Sequence, residues 1–221
     1  GECAHPCRWE YALVEEKRPG EYFPVVEEGK GTFIFNSRDL CLLPHLPELL
    51  AAGIGSLKIE GRMKGIHYAG SVVRVYREAL DRLLEEPERF AVREEWMEEL
   101  TRISHRGYTT GFLFGEPREV GQEYRSRYIR THDFVGVVQE VDAEGVATVG
   151  VRNRLQEKDR LHFLGRGMRE NVLVADELVD AEGNRVQVAH PNSVLRLKLP
   201  FPTERHDLIR REKGGHTPGP L

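Results

Sequence analysis

Cysteine is scarce and long apolar runs are missing from this chain of 221 residues. No run approaches the roughly 20 apolar residues that cross a bilayer, and no signal peptide opens the chain. The sequence therefore reads as that of a cytoplasmic protein with no membrane partner. Three cysteines, Cys3, Cys7 and Cys41, are an odd and small count, which argues against a disulfide framework and leaves metal or cluster ligation as the use to test. Several enzyme signatures are missing as well. There is no His-Glu-x-x-His zinc motif, no P-loop and no strand-linked Gly-x-Gly-x-x-Gly. No Gly-x-Ser-x-Gly elbow supports a nucleophilic triad of Ser37, Asp39 and His67. Neither sign of charge dominates: a net charge of -4 gives no global pull toward nucleic acid, although a basic face can exist on an acidic protein. The first residue is Gly1 rather than methionine and Cys3 follows at once, so the chain is expected to be the C-terminal part of something longer.

What is present is a soluble globular composition, 39% hydrophobic with 31% charged, in a length that suits one large domain or two small ones. The stretch Ser56-Leu-Lys-Ile-Glu-Gly-Arg-Met-Lys64 organises its surroundings. Leu46, Leu49 and Leu50 recur at helical spacing before it and stop at Gly53, which suits the left-handed residue that closes a helix. After it, Ala69, Val72, Val73, Tyr76, Ala79, Leu80, Leu83 and Leu84 fit a long amphipathic helix. The unit reads helix, strand, loop, helix, as in α/β folds that carry chemistry at the carboxyl ends of parallel strands, and it places Glu60 and Arg62 at such an end.

The remainder is taken in chain order. Pro6 keeps Cys3 and Cys7 in a loop, and β-prone runs at Trp9 to Glu15 and Tyr22 to Glu27, joined by Lys17-Arg-Pro-Gly20, predict a hairpin. Thr32-Phe-Ile-Phe35 predicts a core strand whose carboxyl end carries Ser37, Arg38, Asp39 and Cys41. Two strands thus bring polar groups to one face, and that convergence is the principal site signal. Trp96, Leu100 and Ile103 mark a shorter helix beyond Pro87, and Ser104 to Phe112 reads as a functional loop bearing His105, Arg106 and Tyr108. Residues 116–132 read as an arginine-bearing linker. Six β runs follow, at 134–141, 146–151, 159–164, 172–179, 185–189 and 193–199, separated by turn signals that suggest a small β-barrel. The tail from Thr203 is charged and then rich in Gly and Pro, and is expected to be flexible. In domains this gives 1–115, a linker at 116–132, a β-barrel at 133–201 and a tail at 202–221.

Each candidate has a plainer reading beside the functional one. Glu60 with Arg62 is either a substrate pair or a surface ion pair. His105, Arg106 and Tyr108 form either a site or a solvated loop. The three thiols are either ligands or inert buried groups.

Four ordered motifs, Gly1-Glu-Cys-Ala-His-Pro-Cys-Arg-Trp9, Phe35-Asn-Ser-Arg-Asp-Leu-Cys41, Lys58-Ile-Glu-Gly-Arg-Met-Lys64 and Ser104-His-Arg-Gly-Tyr-Thr-Thr-Gly111, closely resemble the collagenase-like U32 peptidase family. Asp133-Phe-Val-Gly-Val137 resembles the start of that family's C-terminal β-barrel. The resemblance implies α/β plus all-β architecture, with the last strands of a TIM-type barrel followed by the small barrel and the N-terminal half of the larger barrel lying upstream. The strand-end and loop placements point to catalytic roles for Glu60, Arg62, Asp39, His105 and Tyr108, and to substrate binding by Arg38, Arg62 and Arg106. The resemblance also implies a 4Fe-4S cluster with Cys3, Cys41 and, in some patterns, Cys7 among its thiolates. Relatives act in prephenate-dependent 5-hydroxylation of the tRNA wobble uridine, in rRNA cytidine hydroxylation or in quinone hydroxylation. The implied partner is tRNA or rRNA, with prephenate as co-substrate. Hydroxylation suits thiolates around a barrel mouth better than proteolysis does, since no activated nucleophile or hydrolytic metal motif is visible. Collagenase-like proteolysis and a purely RNA-binding module, using the β-barrel and the arginines of the linker, are the other two readings.

Overall fold

The computed structural model describes residues 38–115 and 131–213, with the backbone of two short strands before them, Leu13–Val14 (β1) and Tyr22–Phe23 (β2). Those strands pair antiparallel, Leu13 opposite Phe23 and Val14 opposite Tyr22, which is the predicted hairpin. Cys3, Cys7, Ser37, the predicted strand Thr32 to Phe35 and most of the predicted linker lie outside the described residues.

The chain divides into two compact units, one built from residues 1–42 and 104–129, the other from 43–103 and 130–221. In the first, Asp39–Leu40 (β3) pairs parallel with Tyr108–Thr109 (β4), so the Ser104 to Phe112 segment contributes a short strand as well as loop. Among the described residues the parallel pairing expected of a TIM-type barrel is confined to this two-residue ladder.

The second unit opens with Leu46–Ala51 (α1), closed as the sequence predicts. Gly53 has φ of 80°, its N–H donates to the Leu50 carbonyl at 2.9 Å, and the Ile54 N–H donates to the Leu49 carbonyl at 3.2 Å. These two bonds satisfy the last carbonyls, and only the left-handed turn at Gly53 allows them. The segment that follows departs from expectation. Residues 54–61 form no strand, and Ile54, Leu57 and Ile59 remain exposed. A β-prone run becomes a strand only when a neighbour pairs with its backbone, and no described residue does so here.

Ile66–Glu85 (α2) and Glu94–Arg102 (α3) carry the helical part of the second unit. The buried face of α2 runs through His67, Ser71, Val72, Val75, Ala79 and Leu83. It is turned from the predicted one, since Val73 and Leu84 face solvent while Val75 is fully covered. These helices were expected to belong with residues 1–42. By compactness they cluster with the sheet, where a buried ion pair described below joins α3 to the last strand.

The sheet has eight antiparallel strands and curls into a half-barrel. Its strands are His132–Val141 (β5), Val146–Val151 (β6), Arg160–Leu164 (β8), Glu170–Val174 (β9), Leu178–Asp180 (β10), Arg185–Val186 (β11), Val194–Lys198 (β13) and Leu208–Glu212 (β14). They lie in the order β11-β10-β13-β6-β5-β14-β8-β9, while Leu155–Gln156 (β7) pairs separately with Val188–Ala189 (β12). Alternation shows the inner face plainly in β13, where Leu195 and Leu197 are buried and Arg196 and Lys198 are not. The core comprises Val135, Val138, Val149, Leu161, Phe163 and Ile209 with their neighbours, each worth about 1.5–3 kcal/mol on burial. The predicted run at 172–179 is broken, because β9 ends at Val174 and β10 begins at Leu178.

The tail expected to be flexible from 202 onward contains β14, which fills the place between β5 and β8. Its Ile209 and Arg210 are fully buried. The charged composition that suggested a solvated tail is there because the sheet uses those charges internally.

Candidate functional site

The first unit's site grows from the parallel ladder. The Asp39 N–H donates to the Gly107 carbonyl and the Cys41 N–H to the Thr109 carbonyl, both at 2.9 Å, and this fixes the two segments in register. That register brings Arg106 to Asp39 across 67 positions of sequence. The guanidinium donates from Nε at 3.1 Å and from Nη2 at 2.8 Å to the same carboxylate oxygen, Asp39 Oδ1. The pair is half-buried, with 29% of Arg106 and 19% of Asp39 exposed, so it is reachable from solvent yet partly shielded from it. Charge-assisted contacts of this kind are stronger than neutral ones, and a planar guanidinium recognises carboxylate or phosphate.

Beside the pair, His105 is buried and its ring stacks on Tyr108, with centroids 4.8 Å apart and planes 10° from parallel. The Gly107 N–H donates to His105 Nδ1 at 3.0 Å. Nδ1 therefore carries the lone pair, and a neutral imidazole holds its proton at Nε2. Gly107, with φ of 78°, makes the turn that folds this N–H back, a conformation glycine adopts at no steric cost. Cys41 follows β3 directly and is a buried thiol. Arg38 precedes β3 and is exposed. Of the predicted site residues, the structure thus brings together Asp39, Arg106, His105 and Tyr108, with Arg38 and Cys41 flanking β3 in the same unit.

Glu60 and Arg62 belong to the second unit and lie in an exposed loop rather than at a strand end. The Arg62 N–H donates to Glu60 Oε1 at 3.0 Å, Lys58 Nζ lies 3.6 Å from Oε2, and the Tyr68 hydroxyl donates to the Glu60 carbonyl at 3.2 Å. The Arg62 N–H and then the Lys58 ammonium hold the Glu60 carboxyl below its usual range. At neutral pH it is a carboxylate that accepts hydrogen bonds, not an acid that gives a proton. His67 is likewise in the second unit and stacks on Phe134, Asp39 is engaged by Arg106, and Ser37 lies outside the described residues.

Sequence reasoning passed over the charged interior of the second unit. Arg210 on β14 donates from Nη1 to Glu99 Oε1 at 2.9 Å and from Nη2 to Glu170 Oε1 at 2.8 Å, and Arg102 Nη1 donates to Glu170 Oε2 at 3.1 Å. Burial pushes both carboxyls up. For Glu99 the Arg210 guanidinium outweighs it, and for Glu170 a hydrogen bond with His162 together with Arg210 does so, leaving both below their usual range. His132 is pushed down to about 3, by burial first and then by Arg210. One signal was readable: His162 stands between Leu161 and Phe163 in an otherwise apolar run, where a polar residue needs a partner on the other side of the sheet.

Comparison of the sequence with known proteins identifies its relatives. Residues 1–123 match the family model of peptidase family U32 and residues 130–210 match that family's C-terminal domain. The tRNA hydroxylation protein P1 of Bacillus subtilis is 33% identical over 216 residues, covering 96% of this chain and 51% of that protein. The tRNA hydroxylation protein P of Escherichia coli is 31% identical over 212 residues, covering 94% of this chain and 46% of the relative. A protein named collagenase from Porphyromonas gingivalis is 28% identical over 137 residues, covering 62% of this chain and 32% of that one. The chain spans about half the length of the curated relatives it matches. With both parts of the sequence matched in order, the chain belongs to peptidase family U32.

Proposed function

We propose that the protein acts in tRNA modification, in 5-hydroxylation of the wobble uridine with prephenate as co-substrate, and that the Asp39–Arg106 pair sits at the reacting site. The observation that carries this reading is the half-buried Asp39–Arg106 pair set beside the stacked His105 and Tyr108, in a chain that two tRNA hydroxylation proteins match over almost its whole length. Arg106, held by Asp39, presents its charge to a carboxylate such as those of prephenate, with Arg38 of the same unit as a further anion contact. His105 donates from Nε2, and the Tyr108 ring fixes the imidazole plane. The site works by holding an anionic co-substrate in place and by offering a positioned proton.

The donor chemistry at β3 suits an iron–sulfur cluster in one respect: Cys41 supplies a buried cysteine sulfur, the ligand atom such clusters use. In the proposed arrangement Cys41 and Cys3, and in some patterns Cys7, would be among the residues that hold it, and the cluster would supply electron transfer or Lewis acidity. Cys41 is the one thiol of the three among the described residues.

Nucleoside mass spectrometry of tRNA from cells lacking the gene tests the reading. The 5-hydroxyuridine-derived wobble nucleosides should disappear, return with the intact gene and stay absent with Arg106→Lys. Persistence of those nucleosides alongside loss of rRNA hydroxylation or of collagen cleavage would replace tRNA by rRNA or protein as substrate.

A further inference from the structure

Three neighbouring strands of the second unit converge on a cluster that the tRNA reading does not use. β14 lies between β5 and β8, with Glu212 opposite His132 on β5. Two residues earlier on β14, Arg210 stands opposite His162 on β8. One donor atom from each of His132, His162 and Glu212 lies within 4.8 Å of the others. Both histidines are buried and Glu212 is 53% exposed, so the cluster is closed on its imidazole side and open at the carboxylate.

The arrangement of protons is that of a ligand set. Glu170 Oε1 lies 2.8 Å from His162 Nδ1, and because a carboxylate only accepts, the proton sits on Nδ1. In the neutral ring this leaves the Nε2 lone pair turned toward Glu212. Nε2 stands 3.2 Å from Glu212 Oε1, and no hydrogen bond reaches it among the described residues. Two electron-rich atoms thus face each other at a buried point. His132 has its own orienting contact, Thr131 Oγ1 at 2.8 Å from Nδ1. The two rings are edge to face, with centroids 5.4 Å apart and planes at 90°. A carboxylate behind Nδ1 with Nε2 directed forward, as at His162, is how metal-ligating histidines are commonly held. The nearby guanidinium of Arg210 is committed to Glu99 and Glu170.

We propose that His132, His162 and Glu212 bind one divalent transition-metal ion of the zinc class at the junction of β5, β14 and β8, oriented by Glu170 and Thr131. Two imidazoles and a carboxylate suit such an ion, and a fourth position stays open toward solvent. Bonds of about 2.1 Å in a tetrahedral site set ligand atoms about 3.4 Å apart, so Glu212, on its half-exposed stem, makes most of the adjustment. The site rests on geometry in the second unit and stands independently of the tRNA reading.

The test uses the purified chain stripped with EDTA. Zn2+ titrated by calorimetry should bind with one equivalent assigned to this site, and Co2+ should give a visible d–d spectrum without the near-ultraviolet thiolate band that Cys3, Cys7 or Cys41 would produce. Glu212→Gln, at an exposed position, should keep the fold and weaken binding at least tenfold. His162→Ala and His132→Ala should abolish that equivalent, with circular dichroism confirming a folded chain. The proposal is overturned if Co2+ shows only thiolate-type spectra, or if Zn2+ binding is unchanged in folded Glu212→Gln. It is also overturned if the metal-free protein shows His162 as an imidazolium shared by Glu170 and Glu212 that Zn2+ does not displace.

Discussion

Two arginine–carboxylate constellations, one in each compact unit, differ in how much water they see. Arg210 is fully covered and its partner Glu99 is 1% exposed, whereas Arg106 and Asp39 keep 29% and 19% of their side-chain surfaces. Both are short and charge-assisted, and both join segments remote in sequence. Arg210 and Glu99 have exchanged hydration for each other, while Glu170 and Arg102 at the edge of the network keep 22% and 30% of their side-chain surfaces. The half-buried pair retains an open side beside a buried imidazole and a stacked phenol. Exposure therefore separates an ion pair that holds a fold from one that can meet a substrate.

The largest way to break the comparison is to remove one member of the buried pair. Arg210→Ala takes away the shortest contact of the buried Glu99 carboxylate and leaves it Arg102 Nη1 at 3.7 Å, so the cost should reach at most the roughly 3–5 kcal/mol of a fully broken buried pair. Urea unfolding should show a midpoint lowered accordingly, and a loss under about 1 kcal/mol would mean that water reaches Glu99 after all.

A smaller effect comes from His132 beside the same network. Its unfolded side chain takes a proton near pH 6.5, the folded one only near 3. Between those values the unfolded state binds more protons, so stability is full above about 6.5 and is lost as pH falls through the window, with a slope below about 1.4 kcal/mol per pH unit. Thermal melts in EDTA from pH 7 to 4 should show this decline, and His132→Gln should flatten it. An unchanged slope in that variant assigns the acid sensitivity to other groups.

The smallest effect sharpens the other end of the scale. Lys58 and Glu60 form a pair 86% and 69% exposed, and solvent screens such a pair until it contributes little to stability. Lys58→Ala should leave the melting temperature nearly unchanged. A loss of several degrees would mean that the 54–61 loop is packed in solution.

How far the sequence revealed these two sets follows from the range of the contacts. α2 was legible because its periodicity is local, yet its face was turned, since Val73 and Leu84 are as apolar as Val75 and only the packing partner decides which is buried. β6 was legible to the residue because Gly145 and the polar Asp142 turn punctuate it. β14 was not, because Leu208-Ile-Arg-Arg-Glu212 looks solvated until Glu99, 111 positions away, accepts from Arg210. At the site, Asp39, His105, Arg106 and Tyr108 were each visible as polar residues in loop-like segments. Their pairing was not, because it depends on a two-residue parallel ladder that no local pattern announces. Glu60 and Arg62 were misplaced for the converse reason: a β-prone run with no pairing neighbour among the described residues stays a loop.

The central proposal is that the half-buried Asp39–Arg106 pair serves the reaction while the buried Glu99–Arg210 pair serves the fold, and a single side-by-side measurement addresses it. Arg106→Lys and Arg210→Lys, each expressed from the intact gene in a deletion strain, are compared for wobble 5-hydroxyuridine content by mass spectrometry and for protein level by quantitative blotting. Arg106→Lys keeps the charge but loses the two-point grip on Asp39 Oδ1, and should drop the modification at least tenfold at unchanged protein level. Arg210→Lys should lower the modification only in proportion to the protein lost. Full modification with Arg106→Lys, or loss of the Arg106→Lys protein itself, would contradict the account.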